Sequence, residues 1–143
     1  MDTRFSAAIH TLILIANAEA PKSSEAIADS VGTNASYIRK LTGLLKKHGI
    51  LDSRQGVCGF SLTKKPEELS LLEIYQAVSE SEEVHVFDLH QNPNDLCIIG
   101  RHIRPVLTDV FREIEEKAQQ ELQTKTLADC IREMKAEIER KEK

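Results

Sequence analysis

The sequence predicts a mainly α-helical fold that carries one small β-hairpin. Successive segments repeat apolar residues at helical spacing, and two short apolar runs flank a glycine-containing turn after the third of these segments. With 143 residues, of which 41% are hydrophobic and 4% aromatic, the chain can bury one hydrophobic core and still hold an appendage. We therefore expect one helical domain with an extension.

The first predicted helix begins near Thr3 and has an apolar face of Phe5, Ile9, Leu12 and Ala16. We expect this face to pack behind the two helices that follow. An acidic residue beside the first arginine and a histidine within the apolar run argue against a secretory signal peptide. No stretch reaches the ~18 consecutive apolar residues of a transmembrane helix, so no membrane contact is predicted.

Two short helices, in residues 23–32 and 33–48, are the next predicted elements. Ser23 and Asn34 are favourable N-caps, and Gly32 allows a tight turn between the helices. The second helix has one apolar stripe, formed by Ile38, Leu41, Leu44 and Leu45. Two amphipathic helices joined by such a turn are typical of a helix-turn-helix, in which the second helix enters the major groove of DNA.

The other face of this second helix is polar and basic. It carries Ser36, Tyr37, Arg39, Lys40, Gly43 and Lys47. Arg39 and Lys40 are candidates for DNA contact, because they lie on the face that a groove would meet. An ordinary solvated surface is the alternative interpretation of the same residues.

A β-hairpin is predicted in residues 50–62. Phe60 and Leu62 lie two positions apart on its second strand, as expected for side chains on one face. A hairpin directly after a recognition helix is the wing of a winged helix-turn-helix. Arg54, at the entry to the turn, is a candidate for contact with a phosphate or the minor groove, or else an ordinary exposed arginine.

A fourth helix completes the predicted N-terminal core, since Ser70 and Glu73 have the spacing of a capping box. The helical pattern then stops, and residues 80–98 carry acidic side chains and an Asn-Pro turn signal. Within them, residues 84–87 have the composition of a brief extended piece. We interpret residues 80–98 as a sensor-like loop.

A long helix is predicted from residue 99. Its apolar positions step by three and four residues, through Ile99, Ile103, Val106, Leu107, Val110, Ile114, Ala118 and Leu122. A stripe of this length protruding from a small domain needs a partner, and the simplest partner is a second copy of the chain. The helix therefore predicts a homodimer. Pro105 must lie in its first turn or kink it.

Thr126 predicts the start of a final helix with Leu127, Ile131 and Met134 on its apolar face, and its charged tail from residue 135 is expected to fray. The predicted organisation therefore has three parts. They are a winged helix-turn-helix DNA-binding domain in residues 1–79, a sensor-like loop in residues 80–98, and the dimerisation and C-terminal helices in residues 99–143.

Charge is divided unevenly along the chain. The net charge of -4 alone would argue against a nucleic-acid partner. However, residues 1–65 hold nine lysines and arginines against five acidic residues, a net charge of +4, whereas residues 66–143 hold ten against eighteen, a net charge of -8. A positive N-terminal half gains free energy from counterion release on DNA. The sequence has no nucleophile elbow, phosphate-binding loop or zincin motif, so no enzyme activity is predicted.

The three cysteines, Cys58, Cys97 and Cys130, are widely spaced and form no C-x-x-C pair. This spacing predicts neither a metal site nor a cofactor. An odd number of cysteines without a secretory signal is typical of a protein in the reducing cytoplasm.

The same cysteines are candidates for redox sensing. Cys97 shortly precedes the long helix, where the positive end of the helix dipole favours a thiolate. Cys58 or Cys130, from the same or the other subunit, is then a candidate resolving thiol for an oxidant signal. The alternative is that all three are small buried residues.

With these elements in this order, the chain resembles the Rrf-two family of bacterial winged-helix transcription regulators over nearly its whole length. The most specific shared stretches are residues 36–38, residues 49–51 leading to Arg54, Gly59 with Phe60, and residues 71–78. The resemblance implies a homodimer that binds double-stranded operator DNA. It also implies that Asn34, Ser36 and Tyr37 approach phosphates or base edges. Arg54 would act from the wing.

The sequence departs from the family pattern in two places. Gln55 and Cys58 stand in the wing where glycines are common in the family. Members that bind an iron-sulfur cluster carry three cysteines a few residues apart in the sensor loop, whereas only Cys97 lies there, so no cluster is expected. Two further functions stay open: the same fold responding to a small metabolite or partner protein without thiol chemistry, and a winged-helix protein-interaction module that does not bind DNA.

Overall fold

The structure is a computed structural model, and it describes residues 2–53 and 59–142. The helices and strands of this part of the chain are α1 (Arg4–Asn17), α2 (Ser24–Val31), α3 (Ala35–Lys47), β1 (Leu51–Ser53), β2 (Phe60–Leu62), α4 (Leu71–Ser79), α5 (Ile98–Thr124) and α6 (Leu127–Lys141). The predicted mainly helical fold with a small wing is confirmed. Among the described residues, no helix has the length and apolar character that crossing a membrane requires.

The ends of α2 and α3 are capped as the sequence predicts. Ser23 Oγ accepts a hydrogen bond from the backbone N–H of Ala26 at 3.1 Å, and Asn34 Oδ1 accepts one from the N–H of Tyr37 at 2.8 Å. Gly32 has φ = 85°, a left-handed conformation that glycine adopts readily and that turns the chain from α2 into α3. These local contacts form the helix-turn-helix.

The apolar stripe of α3 faces the core, as predicted. Ile38, Leu41 and Leu45 are buried, and Leu44 is half-buried beside them. Burial of each such side chain stabilises the fold by about 1.5–3 kcal/mol. The opposite, polar face of α3 is therefore left in solvent.

The wing is the antiparallel pair of β1 and β2, in which Leu51 lies opposite Leu62, and Ser53 opposite Phe60. It is the predicted hairpin. Residues 54–58, between the two strands in sequence, lie outside the described residues, and with them the predictions for Arg54, Gln55 and Cys58.

The face of α1 that packs into the core differs from the prediction. Leu12 is buried as expected, but the rest of the buried face is Ala8, Thr11 and Ile15. Phe5, Ile9 and Ala16 are half-buried at its edge. The small side chain of Ala8 allows close packing, and the hydroxyl of Thr11 is satisfied in the interior because it donates to the Ala7 carbonyl at 2.8 Å.

The capping box predicted at α4 is only half formed. Ser70 Oγ accepts a hydrogen bond from the backbone N–H of Glu73 at 3.1 Å. The Glu73 carboxylate instead accepts a hydrogen bond from the ammonium group of Lys64, with Nζ 2.6 Å from Glu73 Oε2. The other carboxylate oxygen, Oε1, accepts a hydrogen bond from the Ser70 hydroxyl at 3.4 Å, and within the described residues no return bond from the Ser70 backbone N–H to this carboxylate is formed.

Helix α5 has no fully buried residue within the chain. Pro105 lies inside the helix beyond its first turn, so the first-turn alternative is wrong. The helix nevertheless continues to Thr124, although an interior proline removes one backbone hydrogen bond and crowds the carbonyl four residues earlier. Residues 80–97 form neither a helix nor a strand, so the brief strand-like piece at residues 84–87 is not formed as a strand.

Helix α6 begins with a complete capping box between Thr126 and Asp129. The N–H of Leu127 donates to the carbonyl of Leu69 at 2.9 Å, which fastens α6 beside the start of α4. Leu127 and Ile131 are buried, whereas Met134 is exposed. The expected fraying from residue 135 is wrong: α6 continues to Lys141, and the charged pair of Glu137 and Arg140, three residues apart, supports its last turn.

Candidate nucleic-acid interface

The N-terminus of α3 brings together three of the residues predicted to contact DNA. Asn34 and Ser36 are exposed, and Tyr37 is half-buried because its ring packs against the core. Since the carbonyl oxygen of the Asn34 side chain is engaged in capping, its amide NH2 is the group that remains to donate outward. The backbone N–H groups and the positive dipole of a helix N-terminus favour a phosphate at this position.

Arg39 and Lys40 lie about one turn further along α3, and both are exposed. Arg39 Nη1 lies 3.4 Å from Glu25 Oε1 on α2. The two side chains are 59% and 70% exposed, so this pair contributes little to stability and the arginine can leave it at small cost. Sequence reasoning missed Glu25, because its partner is fourteen residues away.

The wing is held close to the end of α3. Lys46 Nζ donates to Ser53 Oγ at 2.7 Å, which joins the last turn of α3 to the end of β1. The N–H of Thr63 donates to the carbonyl of Ile50 at 3.0 Å, which closes the base of the wing. Helix α3 and the end of β1 are thus joined by a side-chain hydrogen bond, and the base of the wing is closed by a backbone bond.

A second concave surface lies between the sensor-like loop and α5. It is a groove of about 620 Å³. Phe87 from the loop and Phe111 from α5 form part of its wall, with ring centroids 5.0 Å apart. Arg104 also lines it and donates to the backbone carbonyl of His90 at 2.9 Å. Apolar and charged groups are both available to a ligand there.

The two described cysteines have different environments. Cys97 is exposed at the N-cap of α5, where the backbone N–H groups of Gly100 and then Ile99, at the start of the helix, lower the pKa of its thiol. Cys130 is half-buried on α6, where burial, and then the charge of Asp129, raises the pKa of its thiol. Cys97 is therefore the more readily ionised of the two.

Helix α5 separates these two thiols. It has 27 residues, and at the rise of an α-helix it spans about 40 Å. A disulfide needs Cα atoms within about 7 Å of each other. Cys97 and Cys130 of one subunit therefore cannot pair in this structure.

Comparison with known proteins shows that the chain matches a described protein family. Residues 1–133 match the family model Rrf2, described as an iron-dependent transcriptional regulator. Over 131 residues the chain is 44% identical to YwnA of Bacillus subtilis strain 168, which is named as an HTH-type transcriptional regulator; the match covers 92% of this chain and 96% of YwnA.

Solved structures with the same fold are also known. A crystal structure described as a DNA-binding protein superposes with a TM-score of 0.73 at 41% identity, over 90% of this chain and 98% of that chain. CymR, the global cysteine regulator of B. subtilis, superposes with a TM-score of 0.67 over 92% of this chain and 94% of its own. At 18% identity, the likeness to CymR concerns the fold alone.

The family description raises the question of an iron site. Within residues 2–53 and 59–142, no three side chains of His, Cys, Asp or Glu converge as metal ligands would. Cys97 is the single cysteine of the sensor-like loop, and Cys130 lies beyond the other end of α5. An iron-sulfur cluster needs several thiolates at one place, so this donor set does not fit one.

Proposed function

Because the chain belongs to the Rrf2 family of transcriptional regulators, we propose that it is a homodimeric, sequence-specific DNA-binding repressor that acts in the cytoplasm. The family consists of regulators that bind operator DNA, not of enzymes. The observation that carries the proposal is the exposed, basic, N-capped face of α3 beside the wing. A helix with this surface is suited to the major groove.

Each predicted DNA contact has a distinct role in this proposal. Asn34 and Ser36 donate to phosphates at the start of α3, and Tyr37 is held beside them by the core. Arg39 and Lys40 neutralise phosphates or meet base edges further along the groove. Arg54 contacts the minor groove from the wing.

The second subunit is proposed to dock on α5. Ile99, Val106, Val110 and Ile114 are exposed in the single chain and follow one stripe of the helix. Val110 is 46% exposed and Ile114 is 45% exposed. A contiguous exposed apolar surface of this kind is typical of a protein-protein interface. A second copy of the chain offers the same stripe and buries both.

Binding to genomic DNA fragments, including the promoter of the protein's own gene, tests this function. We expect tight, sequence-selective binding by the dimer. Val110→Glu on the apolar stripe should yield a monomer in sedimentation analysis and lose most of the affinity, whereas Glu113→Gln on the charged side of α5 should change neither. If the wild-type protein binds no fragment selectively, the repressor proposal is wrong. The alternative function, a winged-helix module that binds protein and not DNA, would then be preferred.

We further propose that the signal is an oxidant and that Cys97 detects it. Reacting as its thiolate, Cys97 at the α5 N-cap attacks the terminal oxygen of a hydroperoxide. The O–O bond breaks, the remaining oxygen leaves as water or an alcohol after taking up a proton, and Cys97 becomes a sulfenic acid. The sulfenic acid then condenses with a second thiol to a disulfide and releases water. Because α5 separates Cys97 from Cys130 in one subunit, the second thiol is Cys58, a thiol of the other subunit, or a small cytoplasmic thiol.

Release of DNA under peroxide, hypochlorite or disulfide stress tests the redox proposal. Wild type should dissociate and rebind after thiol reduction, whereas Cys97→Ser should remain bound. Cys58→Ser and Cys130→Ser are the matched controls that identify the resolving thiol. Release of Cys97→Ser to the same extent as wild type would refute redox sensing by Cys97.

The groove between the loop and α5 favours a second candidate signal, a small metabolite or partner protein that acts without thiol chemistry. Such a ligand would raise the unfolding temperature of a variant in which all three cysteines are serine. An oxidant signal requires the thiols, so this variant separates the two candidates.

A further inference from the structure

Residues 84–88 of the sensor-like loop are fastened to α5 by one carboxylate. Glu115 Oε2 accepts hydrogen bonds from the backbone N–H groups of Val86 at 2.6 Å and of Phe87 at 3.2 Å. The Glu115 side chain is only 16% exposed. An ionised carboxylate that accepts two backbone donors in a sheltered position makes strong, charge-assisted bonds. The loop therefore docks on α5 through this residue, in addition to the Phe87–Phe111 ring contact and the bond from Arg104 to the His90 carbonyl.

The same segment is also fastened to the winged helix-turn-helix. The hydroxyl oxygen of Tyr75, on α4, accepts from the N–H of His85 at 3.1 Å, and the hydroxyl donates to the carbonyl of His85 at 3.2 Å. The Tyr75 ring packs edge-on against Phe5 of α1, with centroids 5.5 Å apart. Phe5 in turn packs against the core. Residue 85 is thus the point where α4, the loop and α5 meet.

The imidazole of His85 lies between two carboxylates. Its Nε2 is 2.7 Å from Asp88 Oδ1 in the loop, and its Nδ1 is 3.7 Å from Glu115 Oε2. A neutral imidazole has one N–H, so its other nitrogen would turn a lone pair toward a carboxylate oxygen. The protonated ring donates to Asp88 and also turns a second N–H toward Glu115. The 3.7 Å separation from Glu115 Oε2 is that of an ion pair and not of a hydrogen bond, so protonation adds an electrostatic attraction between the loop and α5. We call Tyr75, His85, Asp88 and Glu115 the loop latch.

The surrounding charges also favour the protonated ring. The charged groups that line the same groove are Glu83 and Asp88 from the loop and Arg104, Arg112, Glu115 and Glu116 from α5. Four carboxylates against two guanidinium groups leave the groove negative. The hydrogen bond to Asp88, and then the charges of Asp88 and Glu115, raise the pKa of His85 above its ordinary value of 6.5.

We propose that protonation of His85 locks residues 84–88 onto α5, and that its deprotonation releases them and weakens operator binding. The proton exchanges with solvent, because the His85 side chain is 63% exposed. The effect on DNA rests on the proposed function, in which α5 binds the second subunit and α3 binds DNA. A released loop no longer holds α5 in place relative to α4 and α3. The release of the loop itself does not rest on it.

The direction of the pH dependence follows from the raised pKa. The latch contributes its full stabilisation below pH 6.5, the ordinary value for histidine. The contribution is lost as the pH rises through the higher pKa of His85 in the folded protein. Loop docking and DNA affinity should therefore both decrease toward alkaline pH.

Hydrogen exchange of the Val86 and Phe87 amides between pH 6 and 8.5, corrected for intrinsic exchange, tests the latch. In wild type we expect protection to fall by about fivefold over this range. His85→Gln should show low protection that does not vary with pH, and His90→Gln, a control in the same loop, should match wild type. Glu115→Gln keeps an amide oxygen as acceptor but removes the charge, so its transition should move to lower pH. Protection that is constant in wild type, or unchanged by His85→Gln, would overturn the proposal.

Operator affinity over the same pH range tests the coupling. Wild type should bind more weakly at high pH, and His85→Gln should bind weakly throughout. A pH-dependent loop with constant DNA affinity would overturn the coupling to DNA. If no DNA is bound selectively at any pH, the proposed function fails, while the exchange measurement still decides whether the latch exists.

Discussion

Asn34 and Ser36, at the start of α3, have different roles. Asn34 caps the helix with its side-chain oxygen, whereas Ser36, two residues later, is exposed with no hydrogen bond to another described side chain. A residue that caps a helix contributes to stability whether or not DNA is bound. A residue that meets only phosphate contributes to affinity alone.

Asn34→Ala and Ser36→Ala should therefore differ in their effects. We expect Asn34→Ala to lower the free energy of unfolding by about 1 kcal/mol and to weaken DNA binding as well. Ser36→Ala should change the free energy of unfolding by less than about 0.5 kcal/mol and still weaken binding. Urea denaturation combined with fluorescence-polarisation binding measures both. Equal stability of the two variants would show that the cap has no energetic role.

At the scale of elements, the position of the wing depends on one glycine. Gly59 has φ = 140°, and a Cβ added there would lie 2.2 Å from Cβ of Pro21, in the segment between α1 and α2. A side chain at this position cannot avoid the proline without moving the start of β2. In contrast, a Cβ added at Gly43, on the exposed face of α3, meets nothing within 4 Å.

Alanine at these two glycines should have opposite effects on stability. We expect Gly59→Ala to lower the free energy of unfolding by about 2 kcal/mol through overpacking and backbone strain, and to weaken DNA binding by displacing the wing. Gly43→Ala should raise the free energy of unfolding by about 0.5–1 kcal/mol, because glycine is unfavourable inside a helix. Chemical denaturation of both variants checks this, and a wild-type stability for Gly59→Ala would show that the wing tolerates the displacement.

The sequence was most informative where the determining contacts are local. The caps Ser23 and Asn34 act within three residues, and the stripe from Ile38 to Leu45 repeats within one helix, so both were predictable. The buried face of α1 was predicted only in part, at Leu12, because the centre of that face depends on which helices pack against it. Glu115 lies 29 residues from its bond with Val86, and such a contact has no periodic signature.

At the scale of the whole molecule, charge and apolar surface are separated along the chain. The basic face of α3 lies in the positive N-terminal half, and the exposed apolar stripe of α5 lies in the acidic half. In the proposed repressor, this separation would let the basic face meet an anionic duplex while the apolar stripe meets a second subunit. A dimer then presents two recognition helices, and its affinity for DNA should depend on salt through both.

The salt dependence of binding to the selected operator fragment is the decisive test of DNA recognition by α3. Wild-type affinity should fall steeply as salt rises. In Lys40→Ala, the slope of log affinity against log salt should decrease in magnitude by about 0.9 for each lost phosphate contact, hence by about 1.8 for a dimer. Lys117→Ala on α5, outside the proposed interface, should keep the wild-type slope. Affinity that does not depend on salt, or a Lys40→Ala slope equal to that of wild type, would contradict DNA recognition by α3.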